Sequence, residues 1–404
     1  MRRRPTRLGN SYTPHVEAGT RATHGTARSA RRRQRGYLLA ALGLIALAVI
    51  GVLVGTRTDP SKVSGPVDTS NLKVLGTAPS LDAQGWINSP PLSSAALHGK
   101  VTLYDFWTYS CINCQRTFPY LRSWFDRYRA DGLVIVGVHS PEFDFEKVHS
   151  NVQAAVTRDH VTWPVALDDD MRIWNAFHNQ YWPADYIADR NGKVRYKHFG
   201  EGDYTNTENV IRHLLGVPAT AARAGAVTGV DTTSQETTNP ETYLGLQYQN
   251  PVEPLIDVEP GSHDYPPVGP AALAAPKLGP GGQVLIARNA REAALQGRWT
   301  ASDESVTADA AVASIQIAVH AREVNLVMST VSGRPIDAVV QLDGQPVPVA
   351  DRGPSVHLDR DGRTVVTVQA SDMYRLLSSS TVADHVLSIT TTAAGLTAYD
   401  FTFG

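Results

Sequence analysis

One apolar run dominates the hydrophobic pattern of the chain. Residues 37–55 read YLLAALGLIALAVIGVLVG, nineteen residues without a charge. At about 1.5 Å per residue, a helix of this length spans roughly 28 Å, close to the thickness of the hydrocarbon core of a bilayer. The run therefore predicts a transmembrane helix, and because it is the one long apolar run of the sequence, the pattern excludes a multi-span transporter.

The charges beside this run predict its orientation. Residues 1–36 contain ten Arg against one Glu, a balance of +9, and four of these Arg lie at positions 31–35, whereas only Arg57 follows the run closely. The positive-inside rule then predicts a disordered cytoplasmic tail, a single-pass anchor in the cell membrane and an extracytoplasmic remainder. A cleaved signal peptide, including a twin-arginine signal, is the alternative. It fits less well, because the run is long and no clear A-x-A site follows.

Strand and helix patterns alternate between residues 72 and 216, which predicts a compact α/β domain. Asn191-Gly192 marks a hairpin turn between the last two strands. The predicted strands lie at 101–106, 133–138, 184–188 and 194–199, and the predicted helices at 111–130, 143–158 and 205–215.

The pattern changes after the α/β domain. Residues 217–282 lack apolar periodicity and become rich in Pro and Gly, which predicts a linker. Residues 283–404 then predict an antiparallel β-sandwich built from short strands. These strands are predicted at 314–319, 323–329, 338–342, 364–369, 385–390 and 398–403.

The composition excludes several classes of function for this protein. The net charge is −2 and the basic residues concentrate in a short tail, so nucleic acid is not an expected partner. The two cysteines, Cys111 and Cys114, are too few for a disulfide framework or a four-cysteine zinc site. No H-x₃₋₅-H pair accompanies them, and the sequence predicts no metal and no other cofactor.

The segment VTLYDFWTYSCINCQRTFPY carries the candidate chemistry. Cys111 is predicted where a helix begins, and there the backbone N–H groups and the helix dipole are expected to lower its pKa. The two-residue spacing brings Cys114 within disulfide reach. Cys111 would attack a substrate disulfide, and Cys114 would resolve the mixed disulfide. A structural disulfide or half of a zinc site is the alternative interpretation.

Three further positions give this segment a resemblance to the thioredoxin superfamily, in its membrane-anchored TlpA/ResA-like branch. Asp105 occupies the position of the buried carboxylate of thioredoxins. It shares a strand face with apolar residues, so burial should raise its pKa and suit it to proton exchange with Cys114. The resemblance also implies that Trp107 packs beneath the active-site loop and that Pro119 lies inside the active-site helix.

Pro183 stands just before a predicted strand, where thioredoxins hold a cis-proline facing the disulfide. The resemblance implies that the backbone of Trp182 is then free to pair with an extended substrate chain. An ordinary trans proline is the alternative.

The sequence departs from thioredoxin next to the cysteines. Ile112-Asn113 replaces Gly-Pro, so the reduction potential cannot be copied from thioredoxin, and His139 follows the second strand where a Lys is absent. His139 either tunes the cysteines or is a plain loop residue. Thr108 resembles the Thr-x-x-Cys of peroxiredoxins without their preceding Pro, which leaves thiol peroxidase as a minor alternative.

WTYSCINC and GVHSPEF, with motifs of the last third such as LQGRW and YDFTFG, resemble the outer part of the actinobacterial DipZ proteins. These resemble cytochrome c biogenesis proteins, and the resemblance implies a C-terminal sandwich similar to carbohydrate-binding modules. DipZ proteins also carry a CcdA-like membrane domain, which the single cysteine-free run here does not match. A separate CcdA-like membrane donor is therefore implied if the protein is a reductase.

The sequence thus predicts a membrane-anchored thiol-disulfide oxidoreductase that reduces exported proteins, with apocytochrome c as one possible substrate. A disulfide-forming oxidant is the first alternative. The second, from another class, is a cell-wall or glycan-binding protein with a structural or sensing disulfide. The sandwich shows no aromatic platform for a sugar, because Trp299, Tyr374, Tyr399, Phe401 and Phe403 stand at positions expected of core.

Overall fold

The structure is a computed structural model that describes residues 66–218, 227, 238–249, 256–275, 277–278, 284–285 and 291–404. The basic tail and the apolar run at residues 37–55 lie outside these residues. Within the described ranges, none of the helices has the length and apolar character needed to cross a membrane.

A seven-stranded sheet forms the centre of the α/β domain. Its strands are β1 (Gly76–Thr77), β2 (Gly85–Ile87), β3 (Val101–Trp107), β4 (Leu133–His139), β5 (Val165–Leu167), β6 (Ala184–Ala188) and β7 (Lys193–Phe199). Their order is β1-β7-β6-β3-β4-β5-β2. The β3–β4 and β4–β5 pairs are parallel and the other pairs are antiparallel. Strands β1, β2 and β5 were not predicted, because their two or three residues are too short for a periodic pattern.

Helices cover both faces of this sheet. They are α1 (Ser94–Leu97), α2 (Ile112–Tyr128), α3 (His149–Arg158), α4 (Arg172–Ala176) and α5 (Tyr204–Leu215). Helices α2, α3 and α5 pack on one face, and α1 and α4 on the other. The helix predicted at 143–158 is divided, because Val148 is extended and separates a 3₁₀ turn, Asp144–Lys147, from α3.

Strand β3 is buried at every residue, as expected of a central strand covered on both faces. Its side chains alternate between the two cores. Val101, Leu103 and Trp107 pack with α2, whereas Tyr104 and Phe106 pack on the opposite face. This alternation directs Asp105 toward α2, the helix that carries the cysteines.

The C-terminal region is a β-rich domain with one large apolar core. The named strands of its eleven-stranded sheet pair antiparallel in every case that the described residues show. The strands of the domain are β8 (Thr242–Tyr243), β9 (Gly261–Tyr265), β10 (Lys277–Leu278), β11 (Val284–Leu285), β12 (Ala293–Ala301), β13 (Val306–Ala308), β14 (Ser314–Thr330), β15 (Ile336–Leu342), β16 (Gln345–Pro346), β17 (Val356–Leu358), β18 (Thr364–Val368), β19 (Asp372–Thr391) and β20 (Leu396–Phe403), of which β10 and β11 form a separate pair.

The structure corrects two predictions for the C-terminal region. The strands predicted at 314–319 and 323–329 are one strand, β14, which crosses the polar residues between them with a register shift at Ala321/Glu323. The segment predicted as a linker supplies β8, which pairs with β20, and β9, which pairs with β12. Leu244 and Ile256 from the same segment are buried in the core, so the β-rich domain begins well before residue 283.

Candidate active site

The two cysteines lie at the start of α2. Cys111 is the N-cap residue, and its Sγ accepts a hydrogen bond from the Cys114 backbone N–H at 3.2 Å. The two Sγ atoms are 2.7 Å apart and both cysteines are free thiols. Cys111 is partly exposed, whereas Cys114 is fully buried. This is the arrangement expected of an attacking thiol with a resolving thiol behind it.

The expectation of a lowered Cys111 pKa is wrong. Burial raises the pKa of the Cys111 thiol, and the carboxylates of Glu241 and Glu142 raise it further. The hydrogen bond from the helix start acts in the opposite direction but is outweighed. Burial also raises the pKa of Cys114 well above its usual range. Both thiols therefore hold their protons at neutral pH, and thiolate formation needs a proton acceptor.

Asp105 is the acceptor that the sequence analysis predicted. Its carboxyl group is 1% exposed, and neither oxygen has a hydrogen-bond partner among the described residues. Burial raises the pKa of Asp105 well above its usual range, and the nearby charge of Asp185 raises it further. The charge of Asp105 in turn contributes to the raised pKa of Cys114. A carboxylate with such a pKa can take a proton from a thiol at neutral pH.

Trp107 packs beneath the cysteines, as the thioredoxin resemblance implies. Its ring is edge-on to Phe118 of α2, with 5.2 Å between ring centroids, and edge-on to His139 at 5.0 Å. His139 is the last residue of β4 and fully buried, so it is not a loop residue. Burial lowers the pKa of His139 to about 3, and the neutral ring supplies no positive charge to the thiols.

Glu146, a residue that the sequence did not single out, holds the loop that precedes α2. The buried carboxylate accepts the Ser110 hydroxyl at 2.6 Å and the backbone N–H groups of Glu142 and Phe143 at 2.7 and 3.1 Å. Glu146 lies in the segment that was predicted as a helix at 143–158, and no pattern in that segment indicated this role. The carboxylate fixes Ser110, the residue before Cys111, against the segment after β4.

Pro183 immediately precedes β6, and the Trp182–Pro183 peptide bond is cis. The Trp182 indole N–H donates to the Ser140 carbonyl at 3.0 Å, and the Ser140 N–H donates to the Trp107 carbonyl at 3.1 Å. The structure therefore links Trp182 to Trp107, and it places both in the apolar cluster that contains the cysteines.

The β-rich domain contacts the α/β domain around the cysteines, which the sequence analysis did not foresee. Ile112 packs with Phe143 and with Val327 and Met373 of the β-rich domain. Three polar contacts join the same two domains near this apolar contact. They are Tyr109 Oη to the Ser371 carbonyl at 3.0 Å, Arg375 to Gln115 at 2.9 Å and Arg116 to Glu323 at 2.6 Å.

The same contact brings carboxyl groups toward Cys111. The Tyr243 hydroxyl oxygen lies 2.5 Å from a carboxyl oxygen of Glu142 and 3.0 Å from one of Glu241, so one tyrosine joins acids from both domains. Burial raises the pKa of Asp400, and the charges of Glu241 and Glu142 raise it further. In the described part of the chain, no three histidine, cysteine or carboxylate side chains lie close enough to hold a metal ion.

Comparison with known proteins shows which families the two domains match. Residues 75–197 match the AhpC/TSA family, and residues 239–404 match the thioredoxin-like C-terminal domain family. Both matches agree with the resemblance to thioredoxin-like proteins that was drawn from the sequence.

The chain is similar to Protein DipZ of Mycobacterium tuberculosis, with 37% identity over 294 residues. The match covers 70% of this chain but only 39% of DipZ, so the chain spans well under half of that relative. It is also 28% identical to the thiol-disulfide oxidoreductase ResA of Geobacillus kaustophilus, over 46% of this chain and 98% of ResA. The oxidoreductase YkuV of Bacillus subtilis is 27% identical over 36% of this chain and 97% of YkuV.

Proposed function

We propose that the chain is a membrane-anchored, extracytoplasmic reductase of disulfides in exported proteins, apocytochrome c among them. The observation that supports this direction of electron flow is the surroundings of Cys111, where burial and the nearby carboxyl groups of Glu241 and Glu142 disfavour a thiolate and raise the pKa. Strongly oxidising relatives owe their potential to a reduced form stabilised by a low-pKa thiolate. Cys111 lacks that stabilisation, which favours a dithiol that gives up its electrons.

The reaction uses both thiols. The partly exposed Cys111 thiol releases its proton to solvent and attacks one sulfur of the substrate disulfide. The other substrate sulfur leaves as a thiolate and takes up a proton from solvent. Cys114 then loses its proton to Asp105 and attacks Cys111 Sγ across the 2.7 Å that separates the sulfurs. The Cys111–Cys114 disulfide forms, and two electrons have passed to the substrate.

The Cys111–Cys114 disulfide has to be reduced again after each turnover, and we propose a CcdA-like dithiol donor in the membrane for this step. The similarity to DipZ supports this assignment and the role in cytochrome c biogenesis. The apolar run at residues 37–55 supports a single-pass anchor, with the catalytic domain outside the cell membrane.

For the β-rich domain we propose a sandwich similar to carbohydrate-binding modules. A cell-wall glycan is one ligand that this resemblance suggests. The aromatic residues favour a docking role instead, because Trp299 and Phe401 are buried in the core. The domain's contacts with Tyr109, Gln115 and Arg116 support a docking role beside the cysteines.

The reduction potential of the full-length protein in detergent tests the direction of the reaction. Titration against a thiol–disulfide buffer, followed by tryptophan fluorescence, should give a value near the roughly −270 mV of thioredoxin. A value near the roughly −120 mV of DsbA would overturn the proposal in favour of an oxidant. Cys114→Ser should trap mixed disulfides with exported proteins through Cys111, and the Cys111→Ser, Cys114→Ser double variant is the matched control. Absence of trapped proteins would favour the binding-protein alternative.

A further inference from the structure

A row of titratable side chains crosses the sheet beneath the cysteines. In the strand register, Asp105 of β3 lies directly opposite Asp185 of β6, and Asp185 lies directly opposite His198 of β7. Directly opposite residues on antiparallel strands share a face, with Cβ atoms about 4.5–5.5 Å apart. The three side chains therefore stand next to one another on the face that packs against α2.

Exposure increases along this row. Cys114 is fully buried and Asp105 nearly so, whereas Asp185 and His198 are partly exposed. Water therefore does not reach the Cys114 thiol directly. The row leads from this thiol toward the protein surface at β7.

Four polar atoms of the row have no hydrogen-bond partner among the described residues. This holds for both Asp105 oxygens, for Asp185 Oδ1 and for His198 Nε2, all of them buried. A buried polar atom without a hydrogen bond destabilises the folded state. A proton held between neighbouring members would satisfy two of them at once.

We propose that Asp185 and His198 relay the proton that Cys114 releases to Asp105, and return it when the disulfide is reduced again. This inference rests on the thiol-disulfide exchange described above. When Cys114 attacks Cys111 Sγ, its proton passes to the Asp105 carboxylate. Asp185 takes it from Asp105 and passes it to His198 Nε2, and the partly exposed imidazole ring then releases a proton to solvent. No electrons move along the row.

The surroundings of the row suit this role. Burial raises the pKa of Asp185 to about 7, so this carboxyl group changes protonation near neutral pH. Burial lowers the pKa of His198, so its ring is neutral there and can accept a proton. The other titratable groups near the row are Tyr196 of β7 and Asp203, which precedes α5. The Tyr196 hydroxyl donates to Asp203 Oδ2 at 3.2 Å, and the charge of Asp203 acts on His198.

Two-phase kinetics with dithiobis(nitrobenzoate) separate the relay from the first chemical step. The reduced full-length protein releases one thionitrobenzoate when Cys111 attacks and a second when Cys114 resolves the mixed disulfide. In Asp185→Asn the limiting rate of the second phase should fall about tenfold, a modest part of the usual contribution of acid–base groups. The first phase should keep its rate. Asp185→Glu should restore much of the second phase, and Asp131→Asn, in an exposed turn of the same domain, is the matched control.

The pH profile of the second phase decides between a relay and a simple charge effect. If Asp185→Asn shifts the profile and leaves the limiting rate unchanged, Asp185 acts only through its charge and the proposal is wrong. His198→Ala should also slow the second phase, and added imidazole should restore it because the site is partly exposed. Lack of rescue would remove His198 from the relay. Failure of the reductase proposal would appear separately, in the reduction potential and the trapping experiment.

Discussion

Opposing effects act on the pKa of the Cys111 thiol, and a single substitution can separate them. The helix start favours its thiolate, whereas burial and the charges of Glu241 and Glu142 disfavour it. Glu241 is exposed, so its replacement leaves no cavity. We expect Glu241→Gln to lower the pKa of Cys111 and to speed its alkylation by iodoacetamide at pH 7 by about two- to fourfold in low salt.

A control and a salt series complete this test. Glu259→Gln changes another exposed acid of the β-rich domain, one that pairs with His263, and should leave the alkylation rate unchanged. The effect of Glu241→Gln should shrink as salt is added, because an exposed charge is screened. Equal rates in both variants would contradict the assigned role of Glu241.

The raised pKa of Asp105 leads to a second prediction, about the stability of the folded protein. Burial raises its pKa in the folded state, so the folded protein keeps a proton that the unfolded chain loses above about pH 4. Stability is therefore lost as the pH rises from there through the folded-state pKa. In urea unfolding of the reduced protein, we expect Asp105→Asn to be more stable than the wild type at pH 8, by about 1–3 kcal/mol. The difference should vanish toward pH 4.

The exposed Asp131→Asn variant should follow the wild type at both pH values. An Asp105→Asn protein that is less stable than the wild type at pH 8 would show that the carboxylate has favourable partners. At neutral pH the same variant should also resolve mixed disulfides more slowly, since Cys114 loses its proton acceptor.

At the scale of elements, the periodic segments were predictable and the short or interrupted ones were not. β3, β4 and α2 carry apolar residues at regular spacing, which reflects the cores on either side of them. β2 and β5 have three residues each and give no period. β14 was divided in the prediction because a polar segment interrupts its pattern, although the backbone continues through a register shift.

For the candidate site, too, only the residues within a locally patterned segment were predictable from the sequence. Cys111, Cys114 and Asp105 belong to one short segment, so local spacing was enough to find them. Asp185 lies opposite Asp105 only because β3 pairs with β6, and Glu241 is 130 positions beyond Cys111. A sequence pattern does not contain these long-range pairings.

Gly137 on β4 tests how the sheet supports the active-site helix. A Cβ at this position would lie 2.9 Å from Trp107 Nε1 and 3.2 Å from Trp163 Nε1. Gly137→Ala should therefore displace Trp107 and lower the free energy of unfolding by about 1–3 kcal/mol. A change in tryptophan fluorescence should accompany the loss. Gly76→Ala on β1, where a Cβ meets nothing within 4 Å, should be neutral. Equal stability of the two variants would mean that the tryptophans adapt without cost.

At the scale of the whole molecule, the contact between the α/β and β-rich domains limits access to Cys111. Its apolar centre joins Ile112 and Phe143 to Val327 and Met373, and Ile112 is the residue next to Cys111. Opening of this contact would expose the thiol. The rate of Cys111 alkylation therefore reports on the contact as well as on the pKa.

Two methionines of the β-rich domain separate these effects. Met373 lies in the contact with Ile112, whereas Met328 is buried in the core of the β-rich domain. Replacing either with Ala should cost about 2 kcal/mol or more of unfolding free energy. Only Met373→Ala should speed alkylation of Cys111, by about threefold, since only this variant loosens the packing beside the thiol. If Met328→Ala speeds alkylation equally, general destabilisation explains the effect, and the domain contact does not control access to the active site.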